Sequence, residues 1–236
     1  MTEEIFRNDA YAHKCKAEIT VHDEHGIQLD RTVFYPMGGG QPGDTGELVL
    51  NDGRRVRIAD THKGENVGEI IHIPEGAPDP IAPGTRVTAE IDWDRRHRLM
   101  RVHTCLHLLS AIITAGVTGG SIRDGSGRLD FDLPESNLDK EHVTAELNRL
   151  IQEDHSVSTQ WISDAELEAQ PELVKTMSVK PPKGHGQVRL LNVEGVDLQP
   201  CGGTHVARTG EIGPVRVKKI EKKGKHNRRV NIVLEG

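Results

Sequence analysis

The chain has 236 residues, of which 35% are hydrophobic and 28% charged, with a mean hydropathy of −0.52 and a formal net charge of −6. This composition is typical of a soluble globular protein of one large or two small domains and argues against a disordered or membrane-embedded chain. The first residues show neither segment of a secretory signal, so we expect a cytoplasmic protein. Three cysteines are too few for a disulfide framework and fit a reducing compartment.

Charge is unevenly distributed along the chain. Residues 1–92 carry 9 Lys/Arg against 17 Asp/Glu, whereas the segment 216–229 holds eight basic residues and one acidic residue, Glu221. A basic segment on an acidic protein indicates a specific anionic partner. A solvated, charged hairpin explains the same segment equally well.

The first ninety residues predict a small β-barrel-like domain, because several short strands are separated by turn signals. The clearest pair is a hairpin across Asp52-Gly53, where glycine supplies the positive φ of a tight turn. The strand-like runs cover residues 16–21, 46–50, 54–58, 69–73 and 86–91.

Residues 91–236 predict an α+β domain that begins with a long helix over 94–117. Three glycines, at 116, 119 and 120, are expected to end this helix. Its apolar residues recur at helical spacing and form one stripe: Leu99, Val102, Leu106, Leu109 and Ile113.

Further elements follow in the same domain. Alternating residues predict a strand over 128–133, and an amphipathic pattern predicts a helix over 138–153. Ser163 and Glu166 form a possible capping box for a short third helix. Short β-like runs continue from Gln187 to the end.

Two motifs together indicate a metal site. In His103-Thr104-Cys105-Leu106-His107 the histidines are four residues apart, so a helix brings both imidazoles to one ion. In Cys201-Gly202-Gly203-Thr204-His205 a tight turn can bring a thiolate and an imidazole together. Three His and one Cys suit zinc. Cys105 lies on another face of the helix and is predicted to be a buried packing residue.

The metal motifs leave the role of the ion open. Four protein ligands ordinarily make a closed structural site, whereas catalysis needs an open position. The first motif lacks the glutamate of HExxH, so the metalloprotease arrangement is absent.

A glycine-rich stretch over residues 35–46 is the second informative feature. It is no Walker loop, since no Gly-Lys-Ser/Thr occurs. It is either a multi-turn loop between strands or a backbone surface that packs against a neighbouring domain or nucleotide.

In this order, GGGQPGDTG at 38–46, HTCLH at 103–107 and CGGTH at 201–205 resemble the editing part of alanyl-tRNA synthetase, in its freestanding, medium-length AlaX form. The resemblance implies a β-barrel-like domain at 1–90 and an α+β editing domain of the threonyl/alanyl-tRNA synthetase type at 91–236. It also implies nucleotide and ATP binding, as in synthetase families. The zinc ligands it implies are His103, His107, Cys201 and His205.

The activity implied by the resemblance is hydrolysis of the ester that joins a wrong amino acid, serine first and glycine second, to tRNA(Ala). Thr104 and Ser121 are the candidate pocket residues for a substrate hydroxyl. The loop residues Gly38, Gly39, Gly40 and Gln41 are expected to close over the terminal adenosine.

The partner implied is the acceptor stem and 3′ end of tRNA(Ala), with no membrane and no DNA partner expected. Arg228 and Arg229 are the candidate contacts near the 3′ end, where Lys/Arg contacts position phosphates without reading sequence. The sequence leaves the oligomeric state open.

Three other functions remain compatible with the residues. A different zinc hydrolase for a small ester or amide explains the ligands but not the basic segment. A tRNA-binding module with a structural zinc fits the four-ligand count. Threonyl-type editing is the third, against which the N-terminal domain argues by resemblance.

Overall fold

The structure, a computed structural model, describes residues 1–134, 138–176 and 186–236. Its contacts divide the chain into two units, Met1–His97 and Arg98–Gly236. The division falls a few residues after the domain boundary expected at residue 90.

The first unit is built around a closed six-stranded antiparallel barrel in the order β2-β3-β7-β6-β5-β8. Strands β1 and β4 form a short parallel pair beside it. Aliphatic side chains and Phe34 fill the core, and the β5–β6 hairpin is the one predicted across Asp52-Gly53. The strands are β1 (Glu3–Glu4), β2 (Lys14–Asp23), β3 (Gly26–Leu29), β4 (Arg31–Thr32), β5 (Gly46–Leu50), β6 (Arg55–Lys63), β7 (Ile70–Pro74) and β8 (Arg86–Ile91).

The glycine-rich stretch is a loop of this unit that packs directly against the barrel. A Cβ atom on Gly43 would overlap the carbonyl oxygen of Thr61, so a side chain is excluded there. The tip of the loop is a turn with positive φ at Gly39 and Gly40, closed by reciprocal backbone hydrogen bonds of 3.0 and 3.1 Å between Gly38 and Gln41. Packing therefore explains the glycine at 43, and turn geometry explains those at 39 and 40.

A buried ion pair fixes this loop within the first unit. Arg96 is fully buried, and its Nε donates to both carboxylate oxygens of Asp44 at 3.0 and 2.9 Å. Its other nitrogens donate to the carbonyls of Ala10 at 3.1 Å and Val33 at 2.7 Å. Because the guanidinium is enclosed by acceptors, its burial is tolerated.

We expect Asp44→Ala to lower the free energy of unfolding by about 3–5 kcal/mol, because it leaves the buried Arg96 charge without its carboxylate. Urea unfolding followed by Trp93 fluorescence in a Trp161→Phe background measures this. Arg54→Ala removes the exposed Arg54–Asp52 pair and should leave the unfolding midpoint unchanged. An Asp44→Ala protein as stable as the wild type would contradict the assignment.

The second unit combines helices with two antiparallel sheets, in the orders β14-β15-β10-β9 and β11-β12-β13. It confirms the predicted α+β class. Helix α1 begins in the first unit and continues into this one. The elements are α1 (Trp93–Ile112), β9 (Val117–Arg123), β10 (Ser126–Asp132), α2 (Lys140–Gln152), β11 (Val157–Ser163), α3 (Asp164–Glu168), β12 (Gln187–Val193), β13 (Asp197–Pro200), β14 (Val215–Lys223) and β15 (Asn227–Leu234).

Helix α1 ends at Ile112, earlier than the predicted residue 117. Residues 117–123 pair with β10 instead, so Gly119 and Gly120 lie in a strand rather than stopping a helix. All five residues of the predicted stripe are buried, and the burial extends around the whole helix over residues 102–110. A Cβ atom on Gly127 of β10 would lie 2.7 Å from Val102 Cγ1, so the helix approaches this sheet closely.

The smaller helices form where the sequence patterns predict them. Asp139 caps α2 by accepting from the amides of Glu141 and His142, and the Ser163–Glu166 capping box starts α3. Asn148 of α2 bonds both backbone groups of Val215, at 2.7 and 3.1 Å. No helix among the described residues is long and apolar enough to span a membrane.

Candidate metal centre

The two metal-ligand motifs meet in the second unit. His103 and His107 lie one turn apart on α1, while Cys201 and His205 lie in the turn that follows β13. The four potential ligand atoms all lie within 4.8 Å of one another. Cys201 Sγ is 3.5 Å from His103 Nε2 and 3.1 Å from His205 Nε2. Ligand bonds of about 2.0–2.3 Å to one central ion are compatible with such separations.

The turn that carries Cys201 and His205 is held by Arg189 of β12. The Cys201 amide donates to the Arg189 carbonyl at 3.0 Å. In return, Arg189 Nη1 donates to the carbonyls of Cys201 at 3.1 Å and Gly203 at 2.8 Å. A mostly buried guanidinium thus fixes the Gly-Gly turn, a role that the sequence patterns did not predict.

A chain of polar side chains supports His107 from behind. Asp197 Oδ2 lies 3.2 Å from His107 Nδ1, and Lys175 Nζ lies 2.7 Å from Asp197 Oδ1. Gln199 Nε2 donates to the same carboxylate and, at 2.7 Å, to Ser110 Oγ. Such a carboxylate orients a metal-binding imidazole through its other nitrogen. Strand alternation could have indicated Asp197 and Gln199, which precede Cys201 by four and two residues and share its face.

Thr104 supports a second imidazole. It is fully buried, its Oγ1 lies 3.2 Å from His205 Nδ1, and it accepts from the Val206 amide at 3.3 Å. The structure therefore places this predicted pocket residue against a candidate ligand. Cys105, next to it, is fully buried, and burial raises the pKa of its thiol to about 12, as befits a packing residue.

Electrostatics favour the metal-binding protonation state of Cys201 and His205, whereas His107 must lose a proton to bind an ion. Burial raises the pKa of Cys201, but the charge of His103 and the hydrogen bonds with His103 and His107 outweigh it and hold this pKa well below its usual range. Burial and the charge of His103 lower the pKa of His205 to about 3. Burial alone would lower the pKa of His107, yet hydrogen bonds to Asp197 and Cys201 raise it to about 9.

The donor set is therefore a thiolate and three imidazoles in a largely buried site. Thiolate and imidazole are the ligands of many structural and catalytic metal sites, and thiolate must be deprotonated to bind. The residues present fit one divalent metal ion.

The other predicted site residues lie elsewhere. On β9, Ser121 pairs with Arg128, whereas its neighbour Ile122 pairs with Gly127, which approaches α1. Since neighbouring residues of a strand point to opposite faces, the Ser121 side chain lies on the sheet face away from α1. The turn Gly38–Gln41 belongs to the first unit.

Both predicted arginine contacts engage the protein itself. Arg228 is mostly buried and donates to the carbonyls of Pro134 and Asn227. Arg229 donates to both carboxylate oxygens of Asp130, at 2.7 and 2.8 Å.

We expect Asp197→Asn to weaken metal binding about 10- to 100-fold, because the amide holds the His107 ring less firmly than the carboxylate. Titration of metal-free protein with Zn²⁺ against a chromophoric chelator measures this, and the visible spectrum of bound Co²⁺ gives a second readout. Asp124→Asn removes an exposed carboxylate that pairs with Arg98 and serves as the control. Equal affinities of the Asp197→Asn protein and the wild type would contradict this role.

Comparison with known protein families agrees with the motifs. Residues 188–231 match the family model described as the second additional domain of threonyl and alanyl tRNA synthetases. Residues 4–95 match the model of class II (A) tRNA synthetases.

Full-length relatives are editing proteins. The chain is 36% identical over 243 residues to the alanyl-tRNA editing protein AlaX-M of Methanosarcina acetivorans, covering 99% of each chain. It is 30% identical to the AlaX-M protein of Pyrococcus horikoshii, covering 100% of this chain and 99% of that one. The alanine–tRNA ligase of Pyrobaculum neutrophilum is 35% identical over 94% of this chain, which spans 25% of that enzyme.

These comparisons decide the family and correct one expectation. An editing-only protein gives no support to ATP binding, which the synthetase resemblance had implied. Likeness over the full length, together with the three motifs, shows that the chain belongs to the AlaX-M family of alanyl-tRNA editing proteins.

Proposed function

We propose that the chain is a zinc-dependent hydrolase that removes a wrong amino acid from tRNA(Ala), serine first and glycine second. The observation that carries this proposal is the convergence of His103, His107, Cys201 and His205 on one point in a member of this family. Three nitrogen donors and one thiolate favour zinc over harder ions such as magnesium.

Bound zinc would supply a Lewis acid that polarises a carbonyl or lowers the pKa of a bound water. The chain's own residues hold the ligands in place for this chemistry. Asp197 orients His107, Thr104 orients His205, and Arg189 holds the turn at Cys201. Because the ligands are mostly buried and held by these contacts, they are pre-organised to bind an ion.

Selection of the substrate depends on hydrogen-bonding groups near the bound amino acid. A pocket with a placed hydrogen-bonding group separates serine from alanine far better than a pocket that only measures size. We assign Thr104 to holding His205, whereas Ser121, whose side chain lies on the sheet face away from α1, stays a sequence-based candidate for the substrate hydroxyl.

The RNA partner we propose is the acceptor stem and 3′ end of tRNA(Ala). Because Arg228 and Arg229 already donate to protein acceptors, they would contact RNA only by exchanging these partners. The exposed lysines of the basic hairpin, Lys218, Lys222 and Lys225, offer the phosphate contacts more directly.

We expect fast hydrolysis of Ser-tRNA(Ala), with Ala-tRNA(Ala) spared and loss of activity after chelation. Cys201→Ala should reduce the rate at least about 100-fold, because it removes the thiolate from the donor set. Cys105→Ala is the matched control, since it removes a buried thiol of α1 that belongs to no donor set. Failure of zinc-loaded protein to hydrolyse Ser-tRNA(Ala) or Gly-tRNA(Ala) would refute the proposal.

A second candidate function is a tRNA-binding module with a structural zinc. The close approach of four protein donors favours it, because closed four-ligand sites are usually structural. His103→Ala separates the two: loss of hydrolysis with a retained fold supports catalysis, whereas unfolding supports a structural ion.

We expect tRNA binding to fall steeply with salt, and the lysines at 218, 222 and 225 to contribute to that dependence. Replacing all three by alanine should reduce the slope of log K against log salt by about 3, one unit for each phosphate that is no longer neutralised. Filter binding between low and moderate salt measures the slope. An Asp23→Ala protein, altered in the other unit, should keep the wild-type slope. A flat salt dependence of the wild type would count against an RNA partner.

A further inference from the structure

Trp161 lies at the outer edge of the sheet that carries Cys201 and Asp197. It belongs to β11, the edge strand of the β11-β12-β13 sheet, and is 45% exposed. Among the described residues it is the aromatic member of a small set of exposed large apolar side chains. Single exposed apolar residues are common on protein surfaces, so its position has to supply the argument.

The strand register connects Trp161 with the candidate metal site. Trp161 is paired directly with Arg189 on β12, and the Cys201 amide donates to the Arg189 carbonyl. The three residues thus form a row across the sheet. Two strand spacings separate its ends, about 10 Å.

The indole also lies on the face of the sheet that bears the candidate metal site. Asp197 and Gln199 of β13 share this face and contact His107 and Ser110 of α1. Residues that alternate with Arg189 and Trp161 point to the opposite face of the sheet. There Val188 and Leu190 of β12, with Ile162 of β11, pack against Leu167 of α3.

We propose that Trp161 stacks on a nucleobase at the 3′ end of the RNA strand whose ester is bound at the metal cluster. This inference rests on the proposed function. When the ester carbonyl lies at the cluster, the terminal nucleoside extends from it over a distance comparable to the row from Cys201 to Trp161.

The chemistry of β11 favours a base over a phosphate as the contact. The strand reads Val-Ser-Thr-Gln-Trp-Ile-Ser and carries no charged side chain, so it offers no cation to a phosphate. An exposed indole offers a π-face, on which unpaired bases stack with little regard to sequence. Such a contact suits the 3′ end that all tRNAs share.

Deacylation kinetics test the stacking. Loss of one base–aromatic stack corresponds to about 5- to 150-fold in binding, so Trp161→Ala should raise KM for Ser-tRNA(Ala) by that factor, with a smaller effect on kcat. Trp161→Phe should restore most of the wild-type KM, whereas Trp161→Leu, apolar without a ring, should not. Gln160→Ala alters an exposed neighbour on the opposite face and is the matched control. An unchanged KM for Trp161→Ala, or equal rescue by Leu and Phe, would overturn the proposal.

Binding without catalysis provides an independent readout. The chain has two tryptophans, so in a Trp93→Phe background the fluorescence reports on Trp161 alone. Uncharged tRNA(Ala) should quench it, and the same tRNA trimmed of its 3′-terminal nucleotides should quench it less.

The outcomes separate the stacking from the proposed function. If the wild type deacylates Ser-tRNA(Ala) but tRNA leaves Trp161 fluorescence unchanged, the stacking proposal is overturned and the proposed function stands. If the wild type does not deacylate the tRNA, both the proposed function and the stacking proposal are overturned. A change from dimer to monomer in Trp161→Ala during sedimentation would assign the indole to contact with a second copy and overturn the stacking.

Discussion

Burial of helix α1 is the constraint on which the candidate metal site depends. The helix is enclosed over residues 102–110, a stretch that includes four polar side chains. Polar groups removed from water are costly unless they are bonded. Their partners come from β13 and the turn after it, so the segment that satisfies the helix also brings the remaining ligands. In the second unit, the same contacts that pack α1 into the core therefore also bring the four candidate ligands together.

The cluster is held from behind by residues of different chemical kinds. A carboxylate supports His107, a hydroxyl supports His205, and a guanidinium holds the carbonyls of the Cys201 turn. Each acts on a different ligand, so the geometry of the donor set does not depend on one contact. In the first unit a buried polar group is likewise stabilised by its hydrogen-bond partners, but without a metal ligand among them. Arg96 is enclosed there by Asp44 and two carbonyl groups.

Local patterns were sufficient to predict much of this molecule. Helical spacing indicated the facing pair His103 and His107, and turn chemistry indicated the hairpin at Asp52-Gly53 and the capping box at Ser163. These features depend on neighbours in the sequence. The barrel and the α+β class followed from the same local signals.

Contacts between distant segments were outside the reach of such patterns. The predicted end of α1 was wrong because Val117 pairs with β10 in a strand and the preceding Thr114 and Gly116 are weak helix formers. Arg189 and Asp197 acquire their roles only through tertiary contacts, and no local motif defines those roles. The pocket role of Ser121 and the adenosine contact of the Gly38–Gln41 turn stay predictions, because they concern a substrate.

The separation of the two ligand pairs links the metal to folding. His103 and Cys201 are 98 residues apart, so the complete donor set exists only when the second unit is folded. An ion that binds this set but not the unfolded chain stabilises the folded state in proportion to the logarithm of its free concentration, about 1.4 kcal/mol for each tenfold above the dissociation constant. The supply of metal would therefore act on the stability of the folded chain as well as on the proposed activity. In metal-poor conditions the amount of folded protein would then decline together with the proposed activity.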